Sequence, residues 1–239
     1  MSCLLYFLLM TQKYRLRFLD VETNPGQRRS VPAVCRILCS NVRGLGRNLS
    51  DLTVASSQYH ILLCSETLVS DMRHVSEVMV PGFCRPVLLC RGKKPRARGM
   101  AAYVWDGYGA FRQPKFECGC CQMLVFMVCG LRQNLYVYSL YRNPDLDDKI
   151  FGCLPASMAD VQAEDVCASF LFVGDLNGHH QEWLSSTTTN RHGVAAFDFA
   201  TVSGSISWLS AHPCTSWNTW PPDDWSPWLS TGCYCSTDR

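Results

Sequence analysis

Between residues 34 and 202, short apolar runs alternate with stretches whose apolar residues recur every three to four positions. That pattern predicts buried strands interleaved with helices. Residues 34–40 form a strand-type run that ends at Asn41, and residues 59–64 form a second with Glu66 just beyond it. Between them, Leu49, Leu52 and Ala55 fall at helical spacing after Asn48, a plausible cap, which predicts a helix over 48–58. Residues 82–90 and 100–105 read as two further strands. Residues 123–129 and 135–141 read as a hairpin around the turn 130–134. A helix is expected over 147–165 despite Gly152 and Pro155, then a fully apolar strand over 170–173, then a helix over 193–202. Alternation of this kind predicts a mixed α/β domain with its sheets under helices.

Both ends break the pattern. Five of the seven Trp (208, 217, 220, 225 and 228) fall after Ser203, where Lys is absent and apolar periodicity stops. Residues 203–239 are therefore expected to be an aberrant Trp-, Ser- and Pro-rich tail with the character of a shifted reading frame. Residues 1–30 are expected to be a leader outside the folded domain, which leaves 31–202 as the domain. Residues 20–27 read Asp-Val-Glu-Thr-Asn-Pro-Gly-Gln. Asp20, Glu22, Asn24, Pro25 and Gly26 resemble the 2A-like ribosome-skipping peptides, with Gln27 where that pattern has proline.

Composition narrows the class. Charged residues make up 18% and apolar residues 47% of the 239, which excludes disorder along the whole chain. A net charge of +2 means that a nucleic-acid surface would have to be local. The apolar start is about half the roughly 20 residues needed to span a bilayer, so no membrane partner is expected. Fifteen cysteines are an odd number, and Cys35, Cys39, Cys64 and Cys129 sit inside apolar runs as small hydrophobes. A reducing compartment, nuclear or cytoplasmic, is favoured over secretion. Cys118, Cys120 and Cys121 form the tightest cluster; Cys118 and Cys121 have a zinc-type gap but no matching pair elsewhere.

The candidate chemistry lies at strand ends, where side chains escape the packed core. Asn41 follows the first strand, Glu66 the second, Tyr141 closes the hairpin, and Asp175 and Asn177 follow the strand over 170–173. Taken singly, each is more often a turn residue, a helix cap, a solvated charge or a packed ring. Taken together they are the groups that serve phosphodiester chemistry. Carboxylate and amide oxygens suit Mg²⁺, a second carboxylate orients or deprotonates water, and a phenol and an amide donate to charge building on phosphorus.

Asn41, Glu66, Tyr141 and Gly174-Asp175-x-Asn177, in this order and in these strand contexts, resemble the endonuclease/exonuclease/phosphatase superfamily. Asn-Val-Arg-Gly-Leu, Leu-Leu-Cys-Ser-Glu-Thr and Gly-Asp-Leu-Asn-Gly-His-His are similar to the endonuclease domain of jockey-type non-LTR retrotransposons. The resemblance implies a DNase I-like four-layer α/β/β/α sandwich, incomplete at the C-terminus, and an enzyme that nicks DNA with Mg²⁺ (or Mn²⁺). Glu66 and Asn41 would hold the ion. Asp175 would activate water, Asn177 would stabilise the transition state, and Tyr141 would bond the scissile phosphate. The family has Tyr-x-Pro-Asn where this chain has Tyr-Arg-Asn-Pro, so Asn143 is carried over only weakly, as a DNA-binding candidate. His179 and His180 are expected as DNA-facing or supporting groups. The family's C-terminal Ser-Asp-His has no counterpart: His212 sits in Ser-Ala-His-Pro.

Arg85, Arg91, Lys93, Lys94, Arg96 and Arg98 lie within fourteen residues that contain no acid. Such a loop could neutralise phosphates in a salt-dependent way. The partners implied are DNA and a reverse-transcriptase domain encoded by the same element. Two alternatives stand beside the nuclease: a non-catalytic remnant of such an element, and a phosphatase of the same superfamily.

Overall fold

The computed structural model describes residues 5–10, 16–17, 21–22, 34–90, 98–119, 121–129, 131, 133–142, 149–184, 186–203 and 206–208. In chain order the strands are β1 (Leu5–Met10), β2 (Leu16–Arg17), β3 (Val21–Glu22), β4 (Val34–Cys35), β5 (Ile37–Asn41), β6 (Ile61–Ser65), β7 (Val87–Leu89), β8 (Met100–Val104), β9 (Gly109–Arg112), β10 (Gln122–Cys129), β11 (Leu135–Tyr141), β12 (Ser169–Asp175) and β13 (Ile206–Trp208). The α-helices are α1 (Leu49–Ser56), α2 (Lys149–Glu164), the four-residue α3 (Gln181–Leu184) and α4 (Arg191–Val202).

Two sheets face each other. One runs β13-β1-β12-β11-β10-β9 and the other β2-β5-β6-β8-β7. Side-chain alternation along each strand sorts the apolar residues into three cores. Ile37, Cys39, Ile61, Leu63, Leu124, Phe126, Val137, Leu171 and Val173 pack between the sheets. Tyr138, Phe170 and Phe172 point to the opposite face of the first sheet, under Leu154 and Val161 of α2 and Phe199 of α4. Leu62, Cys64, Ala101 and Tyr103 point to the outer face of the second sheet, under Leu52 of α1 and Val75 and Val78 of a 3₁₀ segment. The outcome is the expected order of layers, helix on sheet on sheet on helix.

Each sheet contains a parallel crossover between neighbouring strands. β5 and β6 are parallel neighbours joined through α1, and β11 and β12 are parallel neighbours joined through α2. Parallel strands cannot be joined by a tight turn, so each pair needs its helix. Gly174 sits where β11 leaves no room for a side chain: a Cβ there would lie 1.9 Å from the Leu140 carbonyl oxygen. Any side chain would push apart the two strands that carry Tyr141 and Asp175.

Several sequence expectations differ in detail. Asn48 stands at the α1 cap position, but its side chain makes no capping bond and instead donates to the Val42 and Gly44 carbonyls, bracing the loop after β5. β9 was not expected, because an exposed edge strand that opens on glycine carries no apolar alternation. Gly152 and Pro155 both lie inside α2, and its apolar face, with Ile150, Leu154 and Val161 in the core, outweighs their low propensity. The stretch expected as a separate leader supplies β1, which pairs in parallel with β12 from Leu5–Phe170 to Met10–Asp175. The tail supplies β13, paired with β1. A strand edge left open by the domain is a ready template, and an apolar strand-forming segment takes it. The 2A-like motif from Thr23 onward and the Trp-rich stretch from residue 209 lie outside the described residues.

Phe126 is fully buried between the sheets. Phe126→Ala should lower unfolding free energy by about 3–5 kcal/mol, whereas Val202→Ala, at 86% exposed, should change it by less than about 0.5 kcal/mol; urea unfolding measures both. His60 Nδ1 accepts a hydrogen bond from the Arg36 amide at 2.9 Å. Burial, and then the Arg36 charge, hold its pKa below the ordinary value. The unfolded state therefore binds the proton more readily, so this stability is present above about pH 6.5 and is lost as the pH falls through the lower folded value. His60→Gln should flatten the fall in melting temperature below pH 6.5 in thermal scans.

Candidate active site

The two parallel crossovers point the C-terminal ends of four strands at one place. Asn41 closes β5, Glu66 follows β6, Tyr141 closes β11 and Asp175 closes β12. Register aligns Asn41 with Ser65 and Tyr141 with Asp175. By alternation Asn41 shares a face with Ile37 and Cys39, and Asp175 with Leu171 and Val173, so these polar ends cap the inter-sheet core.

Two hydrogen bonds cross from sheet to sheet. Asn41 Nδ2 donates to Asp175 Oδ2 at 3.1 Å, although the residues are 134 positions apart. The Tyr141 hydroxyl donates to Glu66 Oε1 at 3.1 Å. Asp175 is 1% exposed, and its other oxygen, Oδ1, accepts from the Asn177 amide at 3.1 Å. Burial raises the Asp175 pKa above the usual carboxylate range, partly offset by the Asn41 and Asn177 bonds, and nearby Glu66 raises it further. Burial, followed by Glu66, also raises the Tyr141 phenol, so it remains a donor at neutral pH.

The backbone is held in an unusual shape to aim these groups. Glu66 and Asn177 both have positive φ, 53° and 48°, a conformation that costs a non-glycine residue of order 1 kcal/mol or more. The Glu66 turn is pinned on both sides. Gly44 N donates to the Glu66 carbonyl at 2.8 Å, and Thr67 N donates to the Gly99 carbonyl at 3.2 Å.

Sequence reasoning missed two residues that hold the other turn. Arg142, next to Tyr141 and 4% exposed, donates from Nε to the Leu176 carbonyl at 2.7 Å and from its guanidinium to the Asn177 carbonyl at 3.4 Å. The Asn177 side chain returns a bond from Nδ2 to the Arg142 carbonyl at 2.6 Å. Asn190 caps α4 by accepting from Gly193 N at 2.8 Å, accepts from His179 N at 3.0 Å and donates to the Asn177 carbonyl at 3.3 Å. The available signal was Asn190 three residues before Gly193 at a helix start. Nothing in Tyr-Arg-Asn-Pro marks the arginine as buried.

Asn41, Glu66, Tyr141, Asp175 and Asn177 are thus brought together. Arg98 is exposed nearby, close enough for its charge to act on Tyr141, and its amide donates to Gln122 Oε1 at 3.3 Å. His179 is half-buried beside the turn. His180, expected as a DNA-facing or supporting group, is buried, and its ring stacks on Phe197 with centroids 4.9 Å apart. Two apolar faces pack better than one left in water. Arg91, Lys93, Lys94, Arg96 and Asn143 lie outside the described residues.

Among the described residues, no group of three or more His, Cys, Asp or Glu side chains gathers as a metal cage. Glu66 and the Asn41 amide are nonetheless the hard oxygen donors that Mg²⁺ accepts in small number, keeping its waters. One residue before Glu66, the buried Ser65 hydroxyl has no hydrogen-bond partner among the described residues. The residues present therefore fit a small hard cation. Cys39 lies in the inter-sheet core and Cys64 on the outer face of the second sheet, and burial pushes both thiols up, Cys64 to about 12, as befits core cysteines. Among the described residues no helix is long and apolar enough to cross a membrane.

No protein-family model and no curated protein matches the chain. Solved structures do. The chain is similar to the endonuclease domain of TRAS1, a telomere-specific non-LTR retrotransposon, at 15% identity and a TM-score of 0.53, over 70% of each chain. It is similar to the AP endonuclease LMAP from Leishmania major at 13% identity and a TM-score of 0.50, over 66% of this chain and 60% of that one. It is also similar to the Xenopus laevis APE2 catalytic domain at 14% identity and a TM-score of 0.50, over 68% of this chain and 67% of that one. At these identities the likeness establishes architecture: the chain has the DNase I-like fold of DNA-processing endonucleases.

Proposed function

We propose that this chain is a Mg²⁺- (or Mn²⁺-) dependent DNA endonuclease domain of a jockey-type non-LTR retrotransposon. In this reading it nicks target DNA, and the 3′-hydroxyl primes a reverse-transcriptase domain encoded by the same element. The observation that carries the proposal is the convergence of Asn41, Glu66, Tyr141 and Asp175 through two cross-sheet hydrogen bonds. The likeness to endonuclease domains in DNA-processing proteins supports DNA as substrate.

Glu66 and Asn41 would hold the ion, which when bound neutralises charge on the scissile phosphate. The Tyr141 phenol, protonated at neutral pH, donates to a non-bridging phosphate oxygen in exchange for Glu66. Asp175 orients a water and accepts its proton; a carboxylate with a raised pKa is a better base than a free one. Asn41 and the Asn177 amide fix the carboxylate's two oxygens. Arg142 and Asn190 hold the turn that carries Asn177 and so position that amide. Arg98, with Arg91, Lys93, Lys94 and Arg96, supplies positive charge for the DNA backbone.

Nicking of supercoiled plasmid tests the reading. Activity should require Mg²⁺ and vanish with EDTA. Glu66→Ala and Asp175→Ala should each lose at least about 100-fold, and Tyr141→Phe about 10- to 100-fold. A soluble, folded protein that nicks nothing would favour the non-catalytic remnant, and release of phosphate from a small phosphomonoester would favour the phosphatase. Asp175→Asn separates loss of chemistry from loss of fold. Because the folded pKa is raised, the ionised carboxylate costs stability that is intact below the unfolded value and is lost as the pH rises through the folded one. Without added divalent ion, Asp175→Asn should therefore melt above the wild type at pH 7.5, with the gap narrowing toward pH 4, in paired thermal scans.

A further inference from the structure

Among the described residues, two buried side-chain oxygens have no hydrogen-bond partner, the Ser65 and Tyr108 hydroxyls. They belong to opposite ends of the second sheet. Tyr108 packs edge-on against His60, just before β6, and against Trp105, and the Cys35 thiol lies close enough to raise its pKa. Ser65 is the last residue of β6, 5% exposed, and directly precedes Glu66. A buried hydroxyl that gives up water and receives no bond in exchange costs free energy. Such a group in a native fold calls for a reason, and the place of Ser65 supplies one.

Alternation puts Ser65 on the same face of β6 as Ile61 and Leu63, the face that looks into the inter-sheet core. Register sets it between Asn41 of β5 and Met100 of β8. Its backbone is fixed, because the Ser65 carbonyl accepts from the Val42 amide at 3.0 Å. Asn41 spends its amide nitrogen on Asp175, and its Oδ1 accepts from the Arg43 amide at 3.3 Å. A carbonyl oxygen has two lone pairs, so Oδ1 keeps one for another partner. One end of the inter-sheet core therefore carries an amide oxygen, a hydroxyl oxygen and the Glu66 carboxylate at paired or consecutive positions. All three are hard donors of the kind that Mg²⁺ accepts. The two neutral ones add no charge beside Glu66 and Asp175.

We propose that the Ser65 hydroxyl is a third oxygen donor to the cation, beside Glu66 and Asn41. The inference rests on the reading of this end of the core as a cation site and adds one residue to it. It also explains why serine can stand where the strand has otherwise only apolar residues and a cysteine. The hydroxyl spends no bond on the fold and keeps its lone pairs for the ion.

The test measures binding of Mn²⁺ alone to the full chain, without DNA, by isothermal titration calorimetry. It pairs each titration with thermal scans in EDTA and in MnCl₂. Ser65→Ala should raise the Mn²⁺ dissociation constant about 10-fold. In EDTA the same variant should melt at or above the wild type, because an unbonded hydroxyl is what it removes. In MnCl₂ it should gain less in melting temperature than the wild type does. Ser65→Thr, which restores the hydroxyl, should bind Mn²⁺ more tightly than Ser65→Ala; if the added methyl prevents folding, Ser65→Ala decides alone. Wild-type affinity in Ser65→Ala would overturn the inference. So would a fall of more than about 2 °C in EDTA, which would mean that the hydroxyl bonds within the fold. Glu66→Ala, titrated alongside, separates this inference from the reading beneath it. Weaker binding in Glu66→Ala with wild-type binding in Ser65→Ala leaves the cation site standing and removes Ser65 from it. No Mn²⁺ binding by the wild type removes both.

Discussion

A carboxyl group buried between two sheets must have its oxygens hydrogen-bonded. Asp175 meets that constraint by taking one bond from the opposite sheet, through Asn41, and one from its own turn, through the Asn177 amide. The rest of the site follows from it. The Asn41 bond requires β5 and β12 to end at the same level, so the two crossovers must stack with their C-terminal ends together. The Asn177 bond requires a left-handed turn directly after β12, which Arg142 and Asn190 then hold from either side. The second cross-sheet bond, from Tyr141 to Glu66, works only in the same alignment.

Much of this was legible because burial writes itself into strand sequence. β11 coincides with the expected run, and β12 extends it by one residue before and two after, through Gly174 and Asp175. The extension was hidden because a glycine and an aspartate look like a turn. They are strand here because Gly174 lets β11 approach and Asp175 is satisfied across the gap. The edge strand β9 was illegible for the opposite reason, having little to bury. The four site residues could be picked out as strand-end polar groups, but their convergence could not: it depends on the stacking of two sheets, which no local pattern encodes.

The supporting residues were hidden by their chemistry. Arginine is seldom buried, yet Arg142 is, because three carbonyl and amide groups of the Leu176–Asn177 turn and its own strand end need partners at once. Asn190 looked like an ordinary cap and is one, but the same side chain also binds the turn that follows Asp175. The two histidines after the motif were read as equivalent. The fold separates them, one half-buried at the turn and one buried and stacked on Phe197.

The site costs the fold stability, and the costs are adjacent. Glu66 and Asn177 are held at positive φ, the Asp175 carboxyl is buried with its pKa raised, and the Ser65 hydroxyl is buried without a hydrogen-bond partner among the described residues. Strain of this kind persists where the surrounding structure over-determines it. On the β11 side of β12 that support is the full-length parallel register with Tyr141. On the other side it is β1, which extends the pairing to Met10 opposite Asp175. If β12 were an edge strand, the residue that most needs a fixed position would be held from one flank only, and its last turn would be free to fray. The apolar segment at the start of the chain, expected as part of a leader outside the domain, therefore takes the position where the loss of a neighbouring strand would be felt most directly at Asp175.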